Sequence, residues 1–261
     1  MSFETILVEQ KGAVTLVTLN RPEALNALNS QVLAELVEAF RAYEANESQR
    51  CLVLTGSGDK AFAAGADIKE MAEKPAADFY LQDFFSDWQT GVVAARKPWI
   101  AAVNGYALGG GCEVCLWADK IVAHNELYMA LVEVGAGLVP AGGGCVQMWK
   151  RMSEAVVPQT DWLNVFLAAF KAIAMPMPSM SAQEARNKGF LRAQDRIVFN
   201  RDFQIGETKK EVIKMAEEGY VPPVSMPIKV FGQDAMGALD ANIPDMLAGY
   251  QIAPHISTVV R

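Results

Sequence analysis

Histidine is almost missing from this chain: His124 and His255 are the only two among 261 residues. Cysteine is scarce as well, with Cys51, Cys112, Cys115 and Cys145. Cys112-Glu-Val-Cys115 is formally a C-x-x-C, but no second pair accompanies it, so neither a metal site nor a redox motif is expected. The four thiols lie in apolar or glycine-rich surroundings, and a reduced, cytoplasmic protein is the expectation. Positive charge is in deficit. Lys and Arg number 23 against 30 Asp and Glu, for a net charge of −7 and a pI near 5.0. That balance disfavours nucleic acid as the main partner. No apolar run reaches the ~18 residues a membrane span needs. The opening MSFETILVEQ is polar and strand-like, unlike a secretory signal. Internal repeats and low-complexity tracts are also lacking.

What the chain has in plenty is apolar residues, 51% of the total against 20% charged, enough for one large core. Residues 3–9 and 13–19 alternate as two strands around Lys11-Gly12. Ser30 is placed to cap a helix that carries Val32, Leu33, Leu36, Val37 and Phe40 at helical spacing. Cys51 to Thr55 is a buried strand. Strands and helices in alternation predict an α/β domain. Asp67 is placed to cap a short helix with Glu70 in its first turn. A helix over 78–95 would carry Phe79, Phe84, Phe85, Trp88 and Val92, which suit a core face or the wall of an acyl pocket. Residues 160–174 are apolar almost all round, which predicts a helix buried in the fold or in a subunit interface. Ser181 with Glu184 forms a capping box for a helix over 182–188, ended by Gly189. Another helix is expected over 207–218, with a soft boundary near Asp195 to Asp202.

The rest of the chain is organised around Trp99 to Gly144. An apolar strand there breaks into Asn104-Gly105, then Gly109-Gly110-Gly111, and a helix starts at once. This layout aims backbone N–H groups at negative charge. Gly110, with Ala66 as a second donor, could form an oxyanion hole; an ordinary tight turn would read the same way. Glu113 sits just inside the helix, and Glu133 lies in the apolar run Leu131-Val132-Glu133-Val134-Gly135. A carboxylate in apolar surroundings is costly unless it is paired or functional. Two carboxylates flanking one substrate could each handle one proton; each could equally be a solvated or capping residue. A competing signal is Gly56-Ser57-Gly58-Asp59-Lys60-Ala61, a G-x-G-x-x-A after a strand. It matches the dinucleotide fingerprint, but small residues intervene where a helix should begin.

Ala63-Ala64-Gly65-Ala66-Asp67-Ile68-Lys69-Glu70-Met71, Ala102-Val103-Asn104-Gly105, Gly109-Gly110-Gly111-Cys112-Glu113 and Gly137-Leu138-Val139-Pro140 together resemble the crotonase superfamily, closely the enoyl-CoA hydratases. Leu19-Asn20-Arg21-Pro22 and Leu25-Asn26-Ala27-Leu28-Asn29 fit the same family, and the motifs cover residues 3–145. The resemblance implies a crotonase-like spiral of ββα units over 1–195. It implies a helical C-terminal region over 196–261 that drives trimers or dimers of trimers. It implies a thioester oxygen held by the N–H groups of Ala66 and Gly110, water activation by Glu113 and proton delivery by Glu133. Ala64, Gly65, Ala66, Asp67 and Ile68 would accept CoA. The substrate would be a trans-2-enoyl-CoA, hydrated reversibly to the 3-hydroxyacyl-CoA. CoA is then part of the substrate, and no metal or redox cofactor is implied. Isomerase, hydrolase or decarboxylase chemistry on an acyl-CoA is the alternative, as is a non-catalytic member.

The second half departs from stand-alone hydratases. Cys145-Val146-Gln147-Met148 replaces the usual run, and 148–178 is longer than usual. Residues 126–220 are similar to hydratase domains fused to 3-hydroxyacyl-CoA dehydrogenases. The family's closing helix and basic tail are not recognisable before Arg261. A divergent, mosaic or truncated member is expected.

Overall fold

The computed structural model describes residues 3–73, 86–157, 159–224 and 227–260. Strands β1 (Ile6–Lys11) and β2 (Val14–Leu19) form the expected hairpin. Helix α1 (Ser30–Ala45) follows. Its cap is Asn29 rather than Ser30: the Asn29 side chain accepts the Val32 N–H at 2.8 Å, while the Ser30 hydroxyl donates to Glu70. Next come β3 (Cys51–Gly56), β4 (Ala61–Ala63), α2 (Ile68–Glu73) and α3 (Ser86–Val93). The chain continues through β5 (Trp99–Val103), β6 (Tyr106–Leu108), α4 (Gly110–Leu116), β7 (Lys120–His124) and β8 (Tyr128–Ala130). Helices α5 (Gly144–Glu154), α6 (Trp162–Ala174) and α7 (Ala182–Asn187) precede the last strand, β9 (Arg196–Val198). Helices α8 (Gln204–Glu217), α9 (Gln233–Ala248) and α10 (Pro254–Val259) follow it. No described helix is long and apolar enough to cross a membrane.

The strands sort into a six-stranded sheet, β1-β2-β3-β5-β7-β9, and a three-stranded one, β4-β6-β8. Every pairing after the first hairpin is parallel. Three times the chain runs along a strand of the large sheet and crosses into the small one. This is the expected spiral of ββα turns. Its repetition is geometric and leaves no repeat in the sequence, because each turn fills a different space.

Alternation along the large sheet's strands covers both its faces. Leu52, Leu54, Ala101 and Ile121 join the cluster under α1. Cys51, Val53, Ile100 and Val122 join Val212 of α8 on the other face. Trp88 of α3 and Trp99 both meet Phe40 edge-on at 5.2 Å. The described part of the aromatic helix therefore faces the core; Phe79, Phe84 and Phe85 lie outside the described residues.

The G-x-G-x-x-A run opens no helix: its first glycine ends β3 and its alanine begins β4. A Cβ at Gly56 would stand 2.4 Å from the Phe62 carbonyl oxygen, so that glycine serves a close crossing of strands. Helix α6 is not buried in the chain. Only Ala169 and Ala174 are fully covered, and Leu163 is 48% exposed.

The excursion between β8 and β9 is fastened to the sheet at several points. Ser179 donates its N–H to the Met129 carbonyl and accepts the Met129 N–H on its hydroxyl, both at 3.0 Å. Ala182 N–H reaches the Asn125 carbonyl at 2.9 Å. Asp195, fully buried, accepts the N–H groups of Ile121 (2.8 Å) and Arg192 (2.6 Å). It also faces Arg151 at 3.6 Å. Arg151 in turn donates to the Leu116 carbonyl at 2.6 Å. Burial and the neighbouring Arg192 bring the Arg151 guanidinium down to about 10, against the pull of Asp195. Asp195→Ala would strand that buried cation, and the expected loss is about 3–5 kcal/mol in urea unfolding. Residues beyond 195 begin with β9, the edge strand of the large sheet, and α8 packs on β3, β5 and β7.

Candidate active site

Three loops leave the carboxyl ends of β4, β6 and β8, which lie side by side. Ala63 of β4 pairs with Ala107 of β6, and Ala66 and Gly110 follow those partners at equal offsets. Gly110 opens α4, so its N–H has no acceptor within the helix. The Ala66 N–H meets no backbone acceptor among the described residues, although Gly65 and Asp67 on either side both bond Leu28. A Cβ at Gly111 would lie 2.2 Å from the Ala63 carbonyl oxygen, so only glycine lets α4 start this close to β4.

Glu113 lies in the first turn of α4 and is 2% exposed. One of its oxygens accepts the Gly144 N–H at 2.8 Å. Glu133 begins a short 3₁₀ turn, Glu133–Ala136, just past β8. Both of its carboxylate oxygens are buried and meet no hydrogen-bond partner among the described residues. The two glutamates, twenty residues apart in sequence, face each other. Burial first, and the Glu133 charge second, push the Glu113 carboxyl up, against the N–H groups of Gly144 and Gly142. Burial likewise pushes Glu133 above the usual carboxylate range. Two like charges in a dry site oppose each other's ionisation, so each carboxyl makes its neighbour harder to ionise. The Gly144 and Gly142 N–H groups pull the other way on Glu113, favouring its charged form.

The glycines after Pro140 form a lock that sequence reasoning missed. A Cβ at Gly142 would stand 2.5 Å from Glu113 Oε2. One at Gly143, where φ is +108°, would stand 2.6 Å from the Trp117 indole nitrogen. Trp117 Nε1 donates to the Gly142 carbonyl at 2.9 Å and holds the loop down over the pair. The signal was present as three consecutive glycines, but nothing in the sequence says which side chain they make room for.

The small-residue segment is stitched to residues 21–30. Ala64 N–H reaches the Leu25 carbonyl at 3.0 Å, and Leu28 N–H reaches the Gly65 carbonyl at 2.8 Å. Asp67 accepts Arg21 at 2.9 Å and the Lys69 N–H at 3.1 Å, as the expected cap. Burial raises its carboxyl, but Arg21 and the helix N–H groups outweigh that and hold it below the usual range. Ile68 is 78% exposed, its side chain open to a ligand.

Against known proteins, the enoyl-CoA hydratase/isomerase family profile matches residues 9–194, well over half the chain. The chain belongs to that family. A probable enoyl-CoA hydratase of Rhizobium meliloti is 48% identical over 155 residues, covering 59% of this chain and 60% of that protein. The mitochondrial enoyl-CoA hydratase of Pongo abelii is 38% identical over 193 residues, 73% of this chain and 61% of that one. The chain thus aligns with about three-fifths of the length of these relatives. Among solved structures, enoyl-CoA hydratase subunit I of Geobacillus kaustophilus matches with a TM-score of 0.71. It is 32% identical, with 99% of this chain and 87% of that one covered. An enoyl-CoA hydratase of Mycobacterium smegmatis matches at 0.69 and 27% identity, with 94% and 91% covered.

Two raised carboxyls in one site give an expected pH dependence. Activity that needs one ionised and one protonated glutamate falls on both sides. It falls in acid as the second carboxyl gains a proton, and in alkali as the last proton leaves. A kcat profile is expected to be bell-shaped, with its acid limb above the ordinary carboxylate range of about 4. A flat profile through that limb would mean the pair is not the working group.

Proposed function

We propose that this protein adds water reversibly across the double bond of trans-2-enoyl-CoA thioesters, giving 3-hydroxyacyl-CoA. The observation that carries this reading is the buried Glu113–Glu133 pair, with Glu113 accepting the Gly144 N–H and both Glu133 oxygens sealed from solvent. Glu113, ionised and steadied by Gly144, takes a proton from water as the water oxygen bonds to the β-carbon. Charge moves through the double bond to the thioester oxygen, where the N–H groups of Ala66 and Gly110 receive it. Glu133 then delivers its proton to the α-carbon, and the proton on Glu113 resets the pair. Addition of water needs a base, an acid and an oxyanion acceptor, so the scheme calls for no metal or redox cofactor. CoA enters as part of the substrate, its adenine end against Ala64 to Ile68. Four free cysteines suit a reducing cytoplasm.

We assign oligomerisation to the helices after β9 together with α6, whose uncovered apolar surface suits burial between copies in a trimer or a dimer of trimers. Light scattering on the purified chain tests this, and a monomer at micromolar concentration would refute it. The activity test is ultraviolet loss of the conjugated thioester with crotonyl-CoA, with product identified by mass. Loss that yields 3-hydroxybutyryl-CoA supports the proposal. CoA binding without hydration would move the assignment to another acyl-CoA reaction of the family.

A further inference from the structure

The Ala66 N–H belongs to a peptide unit that is oriented from outside its own loop. In a trans peptide the N–H and the preceding carbonyl share one plane and point in opposite directions. The carbonyl in the plane of the Ala66 N–H is that of Gly65, and it accepts the Leu28 N–H at 2.8 Å. That bond turns the Ala66 N–H away from Leu28. The next peptide is tied to the same residue, because the Asp67 N–H donates to the Leu28 carbonyl at 2.8 Å. Leu28 and Ala66 thus pair as one isolated parallel bridge, outside the named strands. Gly65 has φ +111°, and a Cβ there would stand 3.3 Å from the Leu108 carbonyl oxygen. Glycine gives the peptide freedom to rotate, so its orientation needs an outside hold.

A single side chain clasps the bridge. Arg21 donates through Nη1 to the Ala27 carbonyl at 2.7 Å and through Nη2 to the Asp67 carboxylate at 2.9 Å. Ala27 and Asp67 each adjoin a member of the bridge. Both charged side chains are largely covered, at 20% and 14% exposure. Arg21 is itself held by Asn26. Its N–H donates to the Asn26 side chain at 3.0 Å, and the Asn26 N–H donates to the Arg21 carbonyl at 2.8 Å. The planar fork of a guanidinium suits two partners at once, and an ammonium has no such fork.

Building on the oxyanion hole of the hydratase reading, we propose that Arg21 and Asp67 form a positioning clamp for the oxyanion donor. The pair holds Leu28 against Gly65 and so keeps the Ala66 N–H turned toward the thioester oxygen. Both residues act through the Gly65–Ala66 peptide in this role, not on the reacting atoms. Gly110 opens α4 and takes its direction from that helix, so loosening the clamp weakens one donor and spares the other.

The test reads the donor by its effect on a bound carbonyl. 4-Dimethylaminocinnamoyl-CoA carries a push–pull chromophore conjugated to the thioester. Its absorption moves to longer wavelength as hydrogen bonds draw charge onto the thioester oxygen. Bound to the parent protein, it is expected to absorb to the red of the free thioester. Arg21→Lys keeps the charge and loses the fork. Asp67→Asn has one oxygen, which cannot serve both Arg21 and the Lys69 N–H. Each variant is expected to lose much of the red shift. Each is also expected to lower kcat for crotonyl-CoA about tenfold with KM little changed, short of the roughly 10²–10³-fold cost of deleting a donor. Partial unfolding lowers the height of the bound band but not its position, so a merely structural role leaves the wavelength alone. Glu113→Gln gives the opposite pattern, with kcat lost and the red shift kept. Clamp variants that keep the parent's shift, or a parent that shows none, overturn the clamp, and crotonyl-CoA turnover by the parent then leaves the hydratase reading standing. A shift that both clamp variants lose, in a protein that hydrates no enoyl-CoA, supports the clamp and refutes that reading instead.

Discussion

Glu133→Gln is expected to lower kcat for crotonyl-CoA hydration by roughly 10²–10⁴-fold, the share that one positioned acid or base commands. Glu113→Gln is expected to lose as much, because the proposed addition of water needs both a base and an acid. The amide keeps the shape of the carboxyl, so the loss reports protonation rather than packing. Stability gives an independent reading. The Glu113 carboxyl is raised in the folded state. Its contribution is therefore fully present below the ordinary carboxylate range and is lost as pH rises through the folded value. Glu113→Gln, which cannot ionise, should melt higher than the parent in alkaline buffer, and this advantage should vanish below about pH 4. Differential scanning calorimetry across pH decides it. A variant less stable than the parent at every pH would mean that Glu113 contributes to the fold as an ordinary hydrogen-bonding residue.

Gly142→Ala is the second large effect, and it falls on activity through the position of the Glu113 carboxylate. The new methyl would lie 2.5 Å from Glu113 Oε2, and the carboxylate must move. A displacement of about 1 Å at a reacting group can cost 10²-fold in rate, and a kcat loss of that order is expected with KM little changed. The backbone at Gly142 does not require the left-handed region, so the fold should survive with a loss of about 1–3 kcal/mol from overpacking. Gly143→Ala makes the contrast. There φ is +108° and the obstacle is the Trp117 ring, so the expected penalty is mainly in melting temperature. Steady-state kinetics beside thermal unfolding separates the two, and equal kinetic losses in both variants would contradict the lock.

The stretch from Trp99 to Gly144 was legible because its signals are local. A strand runs into glycines, a helix starts, and two acids sit where water does not reach. The spiral was legible only through the resemblance, since its three turns share geometry and no repeated residues. Other features stayed hidden for physical reasons. Asn29 and Ser30 are adjacent and equally able to cap, and the choice fell to Glu70, which claimed the serine. The partnership of Asp195 with Arg151 spans forty-four positions, and charged residues in a sequence read as solvated by default. Helix α6 is apolar almost all round, and composition left burial in the fold and burial in a subunit interface equally open. The glycines at 142 and 143 were visible, but their obstacles, Glu113 and Trp117, come from a different turn of the spiral.

The excursion from β8 to β9 is bolted down at Met129–Ser179, Asn125–Ala182 and Ile121–Asp195. Between the end of α5 and Ser179 none of these three fastenings falls. Such a segment behaves as a cassette: another protein of this fold could carry different helices between the same bolts while the strands they bridge stay as they are.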